Sequence, residues 1–187
     1  MTRIVTVLRH EHGNIARLLK ALERQMGILE RAGEPDHDII EGVIDYFLSY
    51  PDLYHHPKEE LVFGRLCERD PAAANIIGDL KHEHENLAAK VRALASRVRV
   101  VCEGRATPGA GLTQLTREFV DCQLRHLERE ERVFFPRALE ALTDQDWAQL
   151  EARMTDEDDP LFGSDVGQRY QALHHDIIEW ERQHDHR

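Results

Sequence analysis

Long apolar runs are missing from this 187-residue sequence. None approaches the roughly 18 residues that a membrane-spanning helix needs. The opening stretch, MTRIVTVLRHEH, lacks the apolar segment and small-residue cleavage site of an export signal, so a cytoplasmic location of bacterial type is expected. Cysteine is scarce: Cys67, Cys102 and Cys122 form no CxxC pair and no even-numbered framework, which fits free thiols in a reducing compartment. Positive charge is in deficit. Lys and Arg number 24 against 35 Asp and Glu, and the net charge of −11 disfavours nucleic acid or an anionic membrane as a partner. Strand-like alternation is absent too, and period-3.6 patterning takes its place. What remains is a composition of 41% apolar and 32% charged residues, enough for one globular domain with a terminal extension. Histidine is the residue in excess, with 12 copies.

The apolar positions predict an all-α fold. Ile4, Val5, Leu8, Ile15, Leu18, Leu19, Leu22 and Met26 make one helical stripe that ends near Gly33. Pro35 and Asp36 open a second helix that runs on, past Pro51 and Pro57, to Leu66. Asp70-Pro71 reads as the start of a third, through Ile76, Leu80, Leu87, Val91 and Val98. After the linker GRATPGAG (104–111), a fourth passes through Phe119, Leu127, Phe134 and Leu139. The expected architecture is an up-down-up-down antiparallel four-helix bundle over residues 1–142. A helical extension over 143–187, opened by a Thr143–Asp146 capping box, should pack on it or mediate assembly, as a homodimer or with a partner protein.

An internal repeat carries the histidines. RHEHGNI (9–15) recurs as KHEHENL (81–87), and HHPKEELVF (55–63) as HLEREERVF (126–134), so each half brings His-x-His on one helix and His-x-x-x-Glu on the next. Position on the apolar stripe separates them. His12 follows Val5 and Leu8 and precedes Ile15 and Leu19, and His84 sits equivalently among Ile77, Leu80, Leu87 and Val91, so both point inward. His10 and His82 keep polar company and should face solvent. On the fourth helix His126 and Glu130 share the apolar side. On the second, His55 and Glu59 do so while His56 follows Asp45, Ser49 and Asp52, which leaves His56 and Glu60 as the alternative register. Pro57 should bend the second helix beside the site, or start a new helix and leave His55 in the break.

With ~1.5 Å of rise per residue, His12, His55, Glu59, His84, His126 and Glu130 meet within a slab of roughly two helical turns. Unpartnered imidazoles and carboxylates in an apolar slab are costly, and a metal pair resolves the cost. Neutral imidazoles donate, each carboxylate can bridge, and the absence of inward thiolates suits iron, with manganese or zinc as substitutes.

The four segments HEHGNI, YHHPKEELVF, HEHENL and HLEREERVFFP together resemble the hemerythrin-like, HHE cation-binding family over roughly residues 1–142. The resemblance implies a four-helix bundle around a non-haem di-iron centre with an oxygen-derived bridge. Carried over by position, His12, His55, His84 and His126 would be the ligands and Glu59 and Glu130 the bridges. Oxygen-carrying members place a further histidine four positions from that on the third helix, where this chain has Leu80 and Ala88. They also use His-x-x-x-x-Asp on the fourth helix, where this chain has Glu130 at the four spacing and Glu131 at the five. The pattern is closer to the four-histidine, two-glutamate version found in iron-centre repair proteins and iron-sensing domains, which argues against reversible oxygen transport.

Three functions follow as expectations. The first is a di-iron protein that binds or senses oxygen, nitric oxide or iron itself. The second is an enzyme or iron donor at the same centre, in nitrosative or oxidative stress defence or repair of iron centres; no catalytic residue is assigned. The third is a metal-free helical interaction module. A ferritin-like oxidase is disfavoured, because its Glu-x-x-His motif occurs here only at Glu34–His37 and Glu181–His184, in a connection and at the chain end.

Overall fold

The computed structural model describes residues 2–103, 105, 110–154, 159–164 and 166–184, and every regular element among them is helical. Most of the expected linker (Gly104 and 106–109), part of the acidic stretch TDEDDPLFGSD (155–158 and 165 of 155–165) and the last three residues lie outside the described residues.

Helix α1 (Arg3–Glu30) buries the stripe expected of it, with Ile4, Val5, Leu8, Ile15, Leu18 and Leu22 fully enclosed. Its first N–H groups find a partner far along the chain: Arg3 and Ile4 donate to Glu151 Oε1 at 2.7 and 3.4 Å. Helix α2 (His37–Phe47) is capped by Asp36, whose carboxylate accepts from Asp38 and Ile39.

The second long helix is broken rather than bent. After α2 a π-helical turn (Pro51–His55) leads into α3 (His56–Arg69), with Pro57 in its first turn. The same event recurs in the second half, where α6 (Ala110–Arg129) passes into a π turn (Glu130–Phe134) and then α7 (Phe135–Ala141), with Pro136 in its first turn. Proline offers no N–H and its ring crowds the carbonyl four residues back. A turn closed by i→i−5 bonds, here His56 N–H to Pro51 O and Phe135 N–H to Glu130 O, relieves that crowding. His55 is thus the last residue of the break.

The third long helix starts later than Asp70-Pro71 suggests. Short α4 (Ala73–Ile77) is interrupted at Gly78, whose φ of 89° continues no helix, and Asp79 then caps α5 (Leu80–Cys102) by accepting from His82 N–H. Around the bundle, α1 neighbours α2 and α6, and α5 neighbours α6 and α2.

The core divides in two. One apolar cluster joins the C-terminal half of α1 to α2, the later part of α5 and the early part of α6, through Leu18, Leu22, Ile40, Val43, Leu94 and Phe119 among others. The other joins the start of α1 to α3, α4, the start of α5 and α7, through Ile4, Leu8, Val62, Leu66, Ile77 and Phe134. At roughly 1.5–3 kcal/mol per enclosed large apolar side chain, these clusters carry a polar layer between them.

The C-terminal segment shares both clusters. Helix α8 (Asp144–Glu151), opened by the Thr143–Asp146 capping box, adds Trp147 and Leu150 to the second. Helix α9 (Gln171–His184) adds Leu173 and Ile177 to the first, crossing so close to α2 that a Cβ on Gly42 would lie 3.2 Å from Leu173 Cδ2. Arg17 forks onto Glu181 at 2.6 and 2.9 Å, and Arg24 pairs with Asp176. In the loop before α9, the buried Asp159 accepts from Tyr46 Oη at 2.9 Å and Asn14 Nδ2 at 3.3 Å.

Candidate metal centre

The polar layer lies where α1 passes from Leu8 in one apolar cluster to Ile15 in the other. His12 comes from α1, His55 from the first π turn, Glu59 from α3, His84 from α5, His126 from α6 and Glu130 from the second π turn, and all six are buried. His10 and His82 face solvent.

The alternative register splits. Glu60 stays outside, its side chain 45% exposed, whereas His56 is only 5% exposed, against the expectation of a polar-side residue. The 3.6 period that put His56 outside does not hold through a π turn. His56 instead stacks on His84, with ring centroids 3.9 Å apart, and lies among His84, His126 and Glu59.

All five imidazoles are held alike. Nδ1 of His12 faces Glu131 at 2.9 Å, that of His55 faces Glu11 at 2.8 Å, and that of His56 faces Asp52 at 3.1 Å. Nδ1 of His84 faces Glu60 at 3.4 Å and that of His126 faces Glu83 at 3.3 Å. A carboxylate only accepts, so each Nδ1 carries the hydrogen and each Nε2 turns inward, the arrangement in which an outer carboxylate orients a metal-ligating histidine. Three outer carboxylates pair with bases: Glu131 with Arg9, Glu11 with Lys58, and Glu83 with Arg129.

Glu59 and Glu130 form the centre. Glu59 Oε1 lies 3.1 Å from His12 Nε2 and 3.2 Å from His55 Nε2, while its Oε2 lies 3.3 Å from His84 Nε2. Glu130 Oε2 lies 3.4 Å from His12 Nε2 and 3.3 Å from His126 Nε2, with Oε1 4.0 Å from His84 Nε2. Each carboxylate therefore reaches histidines of both halves.

The residues fit a metal pair on two counts. Nε2 of His55, His56, His84 and His126, Oε2 of Glu59 and both carboxylate oxygens of Glu130 are buried without a hydrogen-bond partner, which is costly for polar groups in an apolar slab unless a cation takes them. The ligand atoms also gather in two sets, His12–His55–Glu59 and His56–Glu59–His84–His126, within 4.8 Å of one another in each. Atoms bound at ~2.1 Å to a common ion stand roughly 3 Å apart, close to the 3.1–3.4 Å seen between imidazole and carboxylate.

Charge points the same way. Seven carboxylates outnumber the bases around them, Arg9, Lys58 and Arg129 in ion pairs and Arg92 near Asp52, so the layer is net negative when the imidazoles are neutral and attracts cations. Without cations the layer draws protons. Burial pulls the His12 imidazole down, but Glu130, Glu131 and Glu59 outweigh it and hold the pKa at about 11. For His84 burial is likewise outweighed, by Glu130 and Glu59, at about 10. His56 goes the other way: burial, aided by the charge on His84, pushes it to about 4. Burial would raise Glu59, yet His55, His12 and His84 keep its carboxyl well below the usual range.

The outer carboxylates do not stand out in the sequence, although the repeat carries them. Glu11 and Glu83, at the centre of each His-Glu-His, serve His55 and His126; Glu60 and Glu131, second in each Glu-Glu pair, serve His84 and His12.

No curated protein and no solved structure matches the chain significantly. The family model of the hemerythrin HHE cation binding domain matches residues 3–138, well over half of the chain and a span that holds every histidine and carboxylate of the centre. The chain belongs to the hemerythrin HHE cation-binding family.

Proposed function

We propose that the chain holds two iron ions between Glu59 and Glu130 and uses them to bind or sense a small diatomic molecule, oxygen or nitric oxide. His12, His55, His84 and His126 would be terminal ligands and Glu59 and Glu130 the bridges. The observation that carries the reading is the set of buried, inward-facing nitrogen and oxygen atoms without hydrogen-bond partners. Bound iron supplies reversible redox chemistry and a coordination position that an external molecule can take.

The chain's own residues do the rest. The outer carboxylates fix each Nε2 lone pair toward the centre and raise its basicity. The apolar clusters above and below, with Phe135 stacked on His12 at 5.3 Å, keep bulk water from the layer. A groove of about 490 Å³ beside His126, lined by Glu83, Leu87, Cys122 and Arg129 among others, comes within one side chain of the layer and gives a small molecule an approach between α5 and α6.

Anaerobic loading with ferrous iron tests the reading. About two irons per chain are expected, with a visible absorption change when oxygen or nitric oxide is added, both lost in Glu59→Ala. Negligible iron in the folded wild type would sink it. Catalytic disappearance of nitric oxide, rather than one-time binding, would move the assignment to an enzyme at the same centre.

A further inference from the structure

The internal repeat relates the two halves of the layer residue by residue. His12 corresponds to His84 and Glu11 to Glu83, 72 positions on; His55 corresponds to His126, Glu59 to Glu130 and Glu60 to Glu131, 71 positions on. The contacts obey the same relation, since Glu11 and Glu83 hold the His-x-x-x-Glu histidines and Glu131 and Glu60 hold those of the His-x-His segments.

His56 is where the relation fails. Its counterpart is Leu127 and the counterpart of its partner Asp52 is Gln123, both buried. A histidine that the repeat does not require has nevertheless been taken into the core. Its Nδ1 is occupied by Asp52, which leaves the lone pair on Nε2, and that Nε2 is buried with no hydrogen-bond partner. It lies within 4.8 Å of ligand atoms of Glu59, His84 and His126. Packing alone does not account for these facts: a phenyl ring would stack on His84 equally well, without a buried, unpartnered nitrogen.

We propose that His56 is a fifth terminal metal ligand, so that His56, His84 and His126 hold one ion of the pair and His12 and His55 hold the other. The inference rests on the dinuclear reading above and refines it. The two positions are then inequivalent. The second hairpin's position, which borrows His56 from the first, fills first and more tightly. The His12–His55 position is one protein donor short.

The experiment counts imidazoles in the wild type and then removes one. In the cobalt(II)-loaded protein each ligating histidine shows one paramagnetically shifted, solvent-exchangeable Nδ1–H resonance, and five are expected, one for each Nδ1–carboxylate contact. His56→Phe keeps the stack on His84 and lacks the donor, and His56→Gln serves if that variant does not fold. In either, chelator competition should show the tighter of two binding steps weakened by roughly 10- to 100-fold, with helicity by circular dichroism unchanged. The two quadrupole doublets of the diferrous wild type should also draw together. Four resonances in the wild type, or both binding steps unchanged in a folded variant, would overturn the assignment of His56 and leave the dinuclear reading standing. A wild type that takes up no cobalt or iron would overturn that reading and this one together.

Discussion

The ring of His56 lies flat against that of His84, with centroids 3.9 Å apart and planes 9° from parallel. Two imidazolium ions would repel each other in that position, and the environment keeps them unlike. Burial drives His56 to about 4, while Glu130 and Glu59 outweigh burial and hold His84 at about 10. In the metal-free protein near neutrality, the stack is one neutral ring on one charged ring.

Metal binding should therefore release protons. His12 and His84, at about 11 and about 10, are both protonated near neutral pH and must give up Nε2–H to bind a cation. His55, which Glu59 and Glu11 also hold above its ordinary value against burial, adds to the count, so calorimetry in buffers of different ionisation enthalpy should show roughly two protons or more released per chain, and affinity should rise as the medium becomes more alkaline. Metal-free stability runs oppositely. Both folded values exceed the ordinary 6.5, so the stabilisation from these groups is complete below 6.5 and is lost as pH rises through about 10 to 11. Urea midpoints of the metal-free chain should fall across that window.

Glu11 accepts from His55 Nδ1, from Tyr50 Oη at 3.0 Å and from Lys58, all inside the core. Glu11→Gln should lower metal affinity by about 10- to 100-fold with the fold retained. Glu131→Gln should cost less, because that carboxylate is 34% exposed and water replaces part of its role. Chelator competition on the two variants gives the order directly.

The prolines after each π turn should matter for the metal more than for helicity. Pro57→Ala or Pro136→Ala restores an N–H that can bond to the carbonyl four residues back, favouring an α turn over the π turn. That change rotates His55 in one case and Glu130 in the other. Weaker metal binding with undiminished helicity by circular dichroism is the expected result.

Tyr46→Phe removes one of two side-chain donors to the buried Asp159. The loss should cost about 1–3 kcal/mol in urea unfolding. The denaturant slope should stay unchanged, since the surface buried on folding does not alter.

The helices and the repeat were legible in the sequence because each rests on a regular spacing. The inward faces of His12 and His84 follow from a 3.6 period along straight helices, α1 and α5. The same period carried through Pro51–His55 puts His56 on the wrong side, because the backbone there adopts a wider turn. The outer carboxylates were hidden for another reason: Glu11 and Glu83 look like charged spacers in His-Glu-His, and only the third dimension shows which ring each one meets. The break before α5 depends on Gly78 taking a positive φ, which outweighs the start signal at Asp70-Pro71.

Glu151 closes the first turn of α1 from a place beyond residue 138, where the family match ends. Trp147 and Leu150, from the same helix, complete the apolar floor beneath the metal layer. The family match and the packed core thus have different borders in this chain. A fragment trimmed to the shared region would keep every donor atom of the centre, yet it would open the floor on which they stand and uncap the helix that carries His12.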